Sequence, residues 1–137
     1  MMQGKLPRQV LVVDDEALIR WSVSEALADA GWIVRQAATG AEARAAADRL
    51  QGCPFVVLLD LRLPDVADLS LMRDLRAHRP DVPIVIMTAH GTPEQTRMAR
   101  EAGVYRVVDK PFDIGTVVAL LDEAYTSAAW PADESSL

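Results

Sequence analysis

Two hydrophobic rhythms alternate along the chain. Val10-Leu11-Val12-Val13, Phe55-Val56-Val57-Leu58-Leu59 and Ile84-Val85-Ile86-Met87 are short, unbroken apolar runs. Runs of this length and β-branched content predict strands buried on both faces, as in a parallel sheet covered by helices. Trp32-Ile33-Val34 and the stretch 104–108 read as two further strands. Between these runs the apolar positions recur at helical spacing. Over 17–30, Ile19, Val23, Ala26, Leu27 and Ala30 share one stripe, with Arg20, Ser24 and Asp29 facing away and Gly31 as the stop. An alanine-rich helix follows over 41–50, with Ala43, Ala46, Ala47 and Leu50 in register. A third helix, with Leu69, Met72 and Leu75 inward, ends near His78. A fourth runs from Pro93, a favoured first-turn residue, to Ala102 before Gly103. The last carries Ile114, Val117, Val118, Leu121 and Ala124 inward and ends near Tyr125.

Strands alternating with helices in this way need a parallel sheet with right-handed crossovers and helices on both faces. A closed barrel takes about eight such units, so the pattern predicts an open α/β fold, a three-layer (βα)5 sandwich. The domain is expected over 8–127, with 1–7 and 128–137 as flexible termini. Trp21 and Trp32 read as packing residues, and Trp130 as one that docks the tail or marks a contact.

Charge and cysteine usage narrow the partners. A net charge of −6 argues against bare nucleic acid as a direct partner, because neutralising phosphates needs a basic face. Cys53, between Gly52 and Pro54, is the single cysteine, so no intrachain disulfide forms and a reducing compartment fits. No run approaches the length of a membrane span, and the first nine residues lack the apolar core of a signal peptide. A cytoplasmic protein without membrane contact is the expectation.

The chemistry lies where polar residues interrupt the pattern. The first strand runs into Asp14 and Asp15, the third into Asp60, the fourth into Thr88 and the fifth into Lys110. In a parallel sheet these C-terminal ends share one edge, where open α/β folds place their ligands. Carboxylates gathered there repel one another unless they share a cation. All-oxygen ligation points to Mg²⁺ or a similar hard ion. Lys110 adds a movable positive charge and Thr88 a hydroxyl, which together suit a tetrahedral dianion. Asp60 is then a candidate carboxylate nucleophile for phosphoryl transfer. Taken singly, Asp14 and Asp15 would read as helix caps and Lys110 as a solvated lysine.

Four motifs carry a family resemblance: Val13-Asp14-Asp15-Glu16, Leu59-Asp60-Leu61-Arg62-Leu63-Pro64-Asp65, Met87-Thr88-Ala89 and Asp109-Lys110-Pro111-Phe112. Over 10–125 the chain resembles the receiver domain of two-component response regulators. Ala17-Leu18-Ile19-Arg20-Trp21-Ser22, after Asp15-Glu16, and Pro111-Phe112-Asp113-Ile114 resemble nitrogen-regulator-type activators in particular. The resemblance implies a flavodoxin-like strand order of 2-1-3-4-5. It implies that Asp60 is phosphorylated by a histidine kinase, a phosphotransfer protein or a small phosphodonor. Mg²⁺ would be held by Asp15, Asp60 and the backbone carbonyl of Arg62, with Asp14 contributing mainly through water. Lys110 would pair with the phosphoryl oxygens, Thr88 would bond one of them, and the Lys110–Pro111 peptide would be cis. The signal would leave through the fourth helix, fifth strand and fifth helix, to a downstream protein, to a C-terminal output domain absent here, or to a second copy as a homodimer. Catalysis would extend only to the protein's own phosphoryl transfer and dephosphorylation.

Two positions depart from the family pattern. Val107 stands where a switch aromatic is usual, and Tyr105 is assigned to the same face as Val107 by strand alternation. Asp68 stands where many receivers have glycine. Val107, Tyr105, His90 and Ala89, with Arg62, are the candidate switch and tuning positions. Two other readings stand beside the switch. One is a receiver-like binding module with altered or lost phospho-switching. The other is an aspartyl-phosphate phosphatase, which would need a second acid where Arg62 stands.

Overall fold

The structure, a computed structural model, describes residues 7–62, 69–89, 92–128 and 130. Each apolar run is a strand and each periodic stretch a helix. The elements are β1 (Gln9–Val13), α1 (Ala17–Asp29), β2 (Ile33–Ala37), α2 (Gly40–Arg49), β3 (Val56–Asp60), α3 (Ser70–His78), β4 (Ile84–Thr88), α4 (Pro93–Glu101), β5 (Arg106–Asp109) and α5 (Ile114–Ser127). All neighbouring strands pair in parallel, in the order β2-β1-β3-β4-β5, which is the flavodoxin-like arrangement.

The unbroken runs belong to the middle of the sheet. Every residue of β3 and β4 is buried, whereas the edge strands β2 and β5 carry exposed Arg35, Gln36, Arg106 and Asp109. Alternation splits the core in two. Leu11, Val13, Val57, Leu59, Ile84 and Ile86 face α2, α3 and α4, while Val10, Val12, Val56, Leu58, Val85 and Met87 face α1 and α5. Full burial of side chains of this size stabilises by roughly 1.5–3 kcal/mol each, so this double layer supplies most of the driving force.

Local chemistry starts the helices. Thr39 accepts from the Glu42 amide at 3.1 Å and opens α2, and Thr92 with Gln95 forms a reciprocal capping box on α4. At the N-terminal edge of the sheet, Arg79 ties two connections together. Its guanidinium donates to the carbonyls of Leu50 (3.1 Å) and Cys53 (3.0 Å), meets Asp81 in a two-pronged pair, and stacks over Phe55.

Several expectations for single residues are overturned. Ser24 turns inward, buried with a hydroxyl that has no hydrogen-bond partner among the described residues, because α1 packs against α5 as well as the sheet. Ala30 lies past the end of α1 and is exposed. Trp32 is a core residue, but Trp21 is not: its position on α1 faces solvent, three residues on from exposed Leu18. β2 extends to Ala37 rather than ending at Val34, paired along its length with β1. Tyr105 precedes β5 and does not share its alternation. Its ring packs in the α1/α5 layer and its hydroxyl donates to Glu123, whereas Val107 packs in the opposite layer.

Past Tyr125 the described residues turn back onto the domain. α5 continues to Ser127, and Trp130 packs on the Tyr125 ring while its indole N–H donates to the Tyr125 carbonyl at 3.1 Å. Tyr125 meets Trp32 edge-on, and Arg8 stacks over Trp32 and pairs with Asp122. No helix among the described residues is long and apolar enough to cross a membrane.

Candidate functional site

Four strands deliver the site to one edge. Asp14 follows β1, Asp60 ends β3, Thr88 ends β4 and Lys110 follows β5. The ladders hold these ends level: Asp60 pairs with Met87 and Thr88 with Asp109. Two further backbone bonds continue past the strands, from Leu61 N–H to the Met87 carbonyl (3.0 Å) and from Lys110 N–H to the Thr88 carbonyl (2.8 Å). Lys110–Pro111 is a cis peptide, as the resemblance implies.

The carboxylates sit deep. Asp14 is fully buried, Asp60 is 5 % exposed and Thr88 4 %, while Asp15 is open to solvent. A ligating oxygen of Asp14, one of Asp15 and one of Asp60 all lie within 4.8 Å of one another. Lys110 Nζ reaches into this cluster, 2.9 Å from Asp14 Oδ2, 3.3 Å from Asp60 Oδ2 and 3.2 Å from Glu16 Oε1. The second oxygens of the buried pair accept backbone amides, Asp14 from Glu16 (2.8 Å) and Asp60 from Arg62 (3.1 Å).

Burial dominates the electrostatics. It pushes the Asp60 carboxyl up to about 6, helped by the charge of Asp14 and opposed by the Arg62 amide and by Lys110. Burial alone would push Lys110 down, but its hydrogen bond to Asp14 and the charges of Asp60 and Asp14 outweigh this and hold it above its ordinary value. Lys110 therefore remains a cation, and Asp60 gives up its proton less readily than an ordinary carboxyl. A set of three carboxylates without histidine or thiol is a donor set for a hard divalent ion, and the spacing fits one.

Asp14, Asp15, Asp60 and Lys110 thus meet at one edge, and Thr88 ends the neighbouring strand with its carbonyl on the Lys110 amide. Arg62 follows Asp60, exposed, with its amide on the carboxylate. Ala89 is exposed next to Thr88. His90 and Asp68 lie outside the described residues, as do Pro64 and Asp65. Two participants were not anticipated. Glu16 shares Lys110, and its signal is its place as a third consecutive acid. Arg20, expected to face away, instead donates to the Asp14 carbonyl at 2.7 Å and to Gln36 Oε1 at 3.2 Å.

Comparison with known proteins gives this geometry a context. Residues 10–122 match the family model of the response regulator receiver domain. The DNA-binding transcriptional regulator NtrC of Escherichia coli K12 is 37 % identical over 115 residues, covering 84 % of this chain and 24 % of that protein. The chain therefore spans about a quarter of the length of that curated relative. The crystal structure of the receiver domain of NtrX from Brucella abortus superposes with a TM-score of 0.78 at 30 % identity, covering 87 % of this chain and 99 % of the other. The solution structure of the beryllofluoride-activated NtrC4 receiver domain dimer superposes with a TM-score of 0.76 at 28 % identity, covering 86 % and 96 %.

Proposed function

Because the chain belongs to the response regulator receiver domain family, we propose that it is a two-component switch that accepts a phosphoryl group on Asp60. The observation that supports this most directly is the reach of Lys110 Nζ to Asp60 and Asp14 from the end of a different strand. The functional unit is the receiver domain over 8–127.

An Asp60 oxygen attacks phosphorus, the donor's nitrogen–phosphorus or oxygen–phosphorus bond breaks, and an acyl phosphate forms on the carboxylate. Lys110 exchanges part of its bonding to the acids for the phosphoryl oxygens, and the Thr88 hydroxyl donates to another of them. Asp14, Asp15, Asp60 and the Arg62 carbonyl would hold Mg²⁺, which supplies neutralisation of the charge on the transferred group. The phosphodonor is a histidine kinase or phosphotransfer protein, and the site of action is the cytoplasm. Output runs through α4-β5-α5 to an output domain, a downstream protein or a second copy, with no direct contact to nucleic acid. The dimer named for the activated NtrC4 receiver supports the last of these. Ala89, His90 and Arg62 tune the lifetime of the acyl phosphate.

A second reading, altered coupling of phosphorylation to output, is favoured by one observation. Val107 is aliphatic, and Tyr105, two positions before it, packs in the other layer and bonds Glu123. The decisive experiment is intact-mass measurement after acetyl phosphate and Mg²⁺. Wild type should gain one phosphoryl group and Asp60→Asn none. A wild type that gains nothing and also fails to respond to beryllofluoride would sink the switch.

A further inference from the structure

Helical register puts Arg20 on the outer side of α1, yet the guanidinium folds back onto the acidic edge of the sheet. The paired positions of β1 and β2 end at Val13 and Ala37, and one further bond, from the Asp14 amide to the Ala37 carbonyl at 3.1 Å, closes the ladder. The Asp14 carbonyl lies beyond that point, on the peptide that joins Asp14 to Asp15. Arg20 Nη1 donates to it at 2.7 Å while Arg20 Nε donates to Gln36 Oε1 at 3.2 Å. The Arg20 backbone amide donates at 2.9 Å to the carbonyl of Glu16, the residue before α1. One residue therefore joins the end of β1, the first turn of α1 and the end of β2.

We propose that Arg20 is a positioning residue of the acidic site, fixing the Asp14–Asp15 peptide and through it the aim of both carboxylates. This rests on the reading of that cluster as the cation and phosphoryl site. Two features of the contact support it. Arg20 bonds a carbonyl rather than a carboxylate, so it fixes the peptide without itself occupying the carboxylate oxygens of either acid. Its planar fork serves two acceptors on different strands at once, which an ammonium on a flexible stem does not do. Gln36 in turn acts through Arg20, by holding its Nε.

The test uses the full chain and Mg²⁺ alone as probe, followed by amide NMR, in wild type, Arg20→Gln, Arg20→Lys, Gln36→Leu and the double variant Arg20→Gln/Gln36→Leu. Arg20→Gln should weaken Mg²⁺ binding by about tenfold, the scale on which outer partners of metal ligands act. It should also move the amide resonances of Asp15 and Glu16 before any metal is added. Arg20→Lys should recover only part of the affinity. Gln36→Leu should weaken binding less, and should add nothing in the Arg20→Gln background. With acetyl phosphate, the loss should appear in the Mg²⁺ concentration required and not in the rate at saturating Mg²⁺. Mg²⁺ affinity in Arg20→Gln within about twofold of wild type overturns the proposal, against the larger loss expected of a metal-site partner. So does a wild type that binds no Mg²⁺, or a Gln36→Leu effect of equal size in both backgrounds. If the Mg²⁺ results hold while wild type takes no phosphate, the phosphoacceptor reading fails and the positioning role stands.

Discussion

Asp60 is held in a form that costs the native state at neutral pH. Its carboxyl titrates at about 6 rather than 3.8, so between those values the folded chain binds more protons than the unfolded one. Stability from this group is present below about 3.8 and is lost as pH rises through about 6. In metal-free buffer, Asp60→Asn should therefore stabilise the protein by about 1–3 kcal/mol at pH 7 and by little at pH 4. Urea titrations at the two pH values check this, and an equal gain at both would contradict it. The sequence revealed this residue because an acid closing an apolar run is conspicuous, whereas Asp14, Thr88 and Lys110 gained meaning only from their shared place at strand ends. Arg20 and Glu16 were missed for a physical reason. Arg20 acts on a backbone carbonyl past the end of β1 and Glu16 on a lysine 94 residues away, and hydrophobic periodicity is blind to both. Tyr105 was misplaced because alternation was extended one residue too early, before β5 begins at Arg106.

Elements owe their boundaries to connections as much as to periodicity, and Arg79 is the clearest case. It joins the end of α2 to the approach to β4 through Leu50, Cys53 and Asp81. Replacing it by leucine would leave a half-buried carboxylate and two carbonyls without their donor, a loss of about 2–4 kcal/mol. The pH dependence has a sign. The hydrogen bond from Arg79 holds Asp81 below its ordinary 3.8, so its contribution is present above that value and is lost as pH falls through the folded one. Arg79→Leu should thus lower the urea midpoint strongly at pH 7 and less at pH 3. A uniform drop would place its effect in the two carbonyl bonds and the packing over Phe55 rather than in the Asp81 pair. Sequence reasoning saw turn chemistry in Arg79-Pro80-Asp81 but had no means of seeing the partners, which lie 26 and 29 residues away. The strand order followed from the resemblance, whereas the parallel open sheet followed from the pattern alone.

For the whole molecule, the site and its approach share one edge. α1 starts immediately after Glu16 and presents Leu18 and Trp21, 73 % and 58 % exposed, on one face. Leu18 and Trp21, one turn apart beside the acidic edge, offer an apolar face to the phosphodonor proposed above. Trp21→Ser should slow phosphoryl transfer from a phosphorylated kinase domain by about tenfold, equivalent to losing one aromatic anchor, while transfer from acetyl phosphate is unchanged. Equal slowing with both donors would refute the contact. At the opposite edge, Arg8 joins Asp122 and Trp32, and Trp32 leads through Tyr125 to Trp130. The first and last described segments of the chain therefore meet at the far side of the sheet from Asp60. In topological terms the described stretch from Pro7 to Trp130 is nearly a closed loop. A short peptide in place of 1–6 and 131–137 could link Pro7 to Trp130, and a cut at the exposed Gly52 turn would then give a circular permutant with the same strand neighbours and an unobstructed acidic edge.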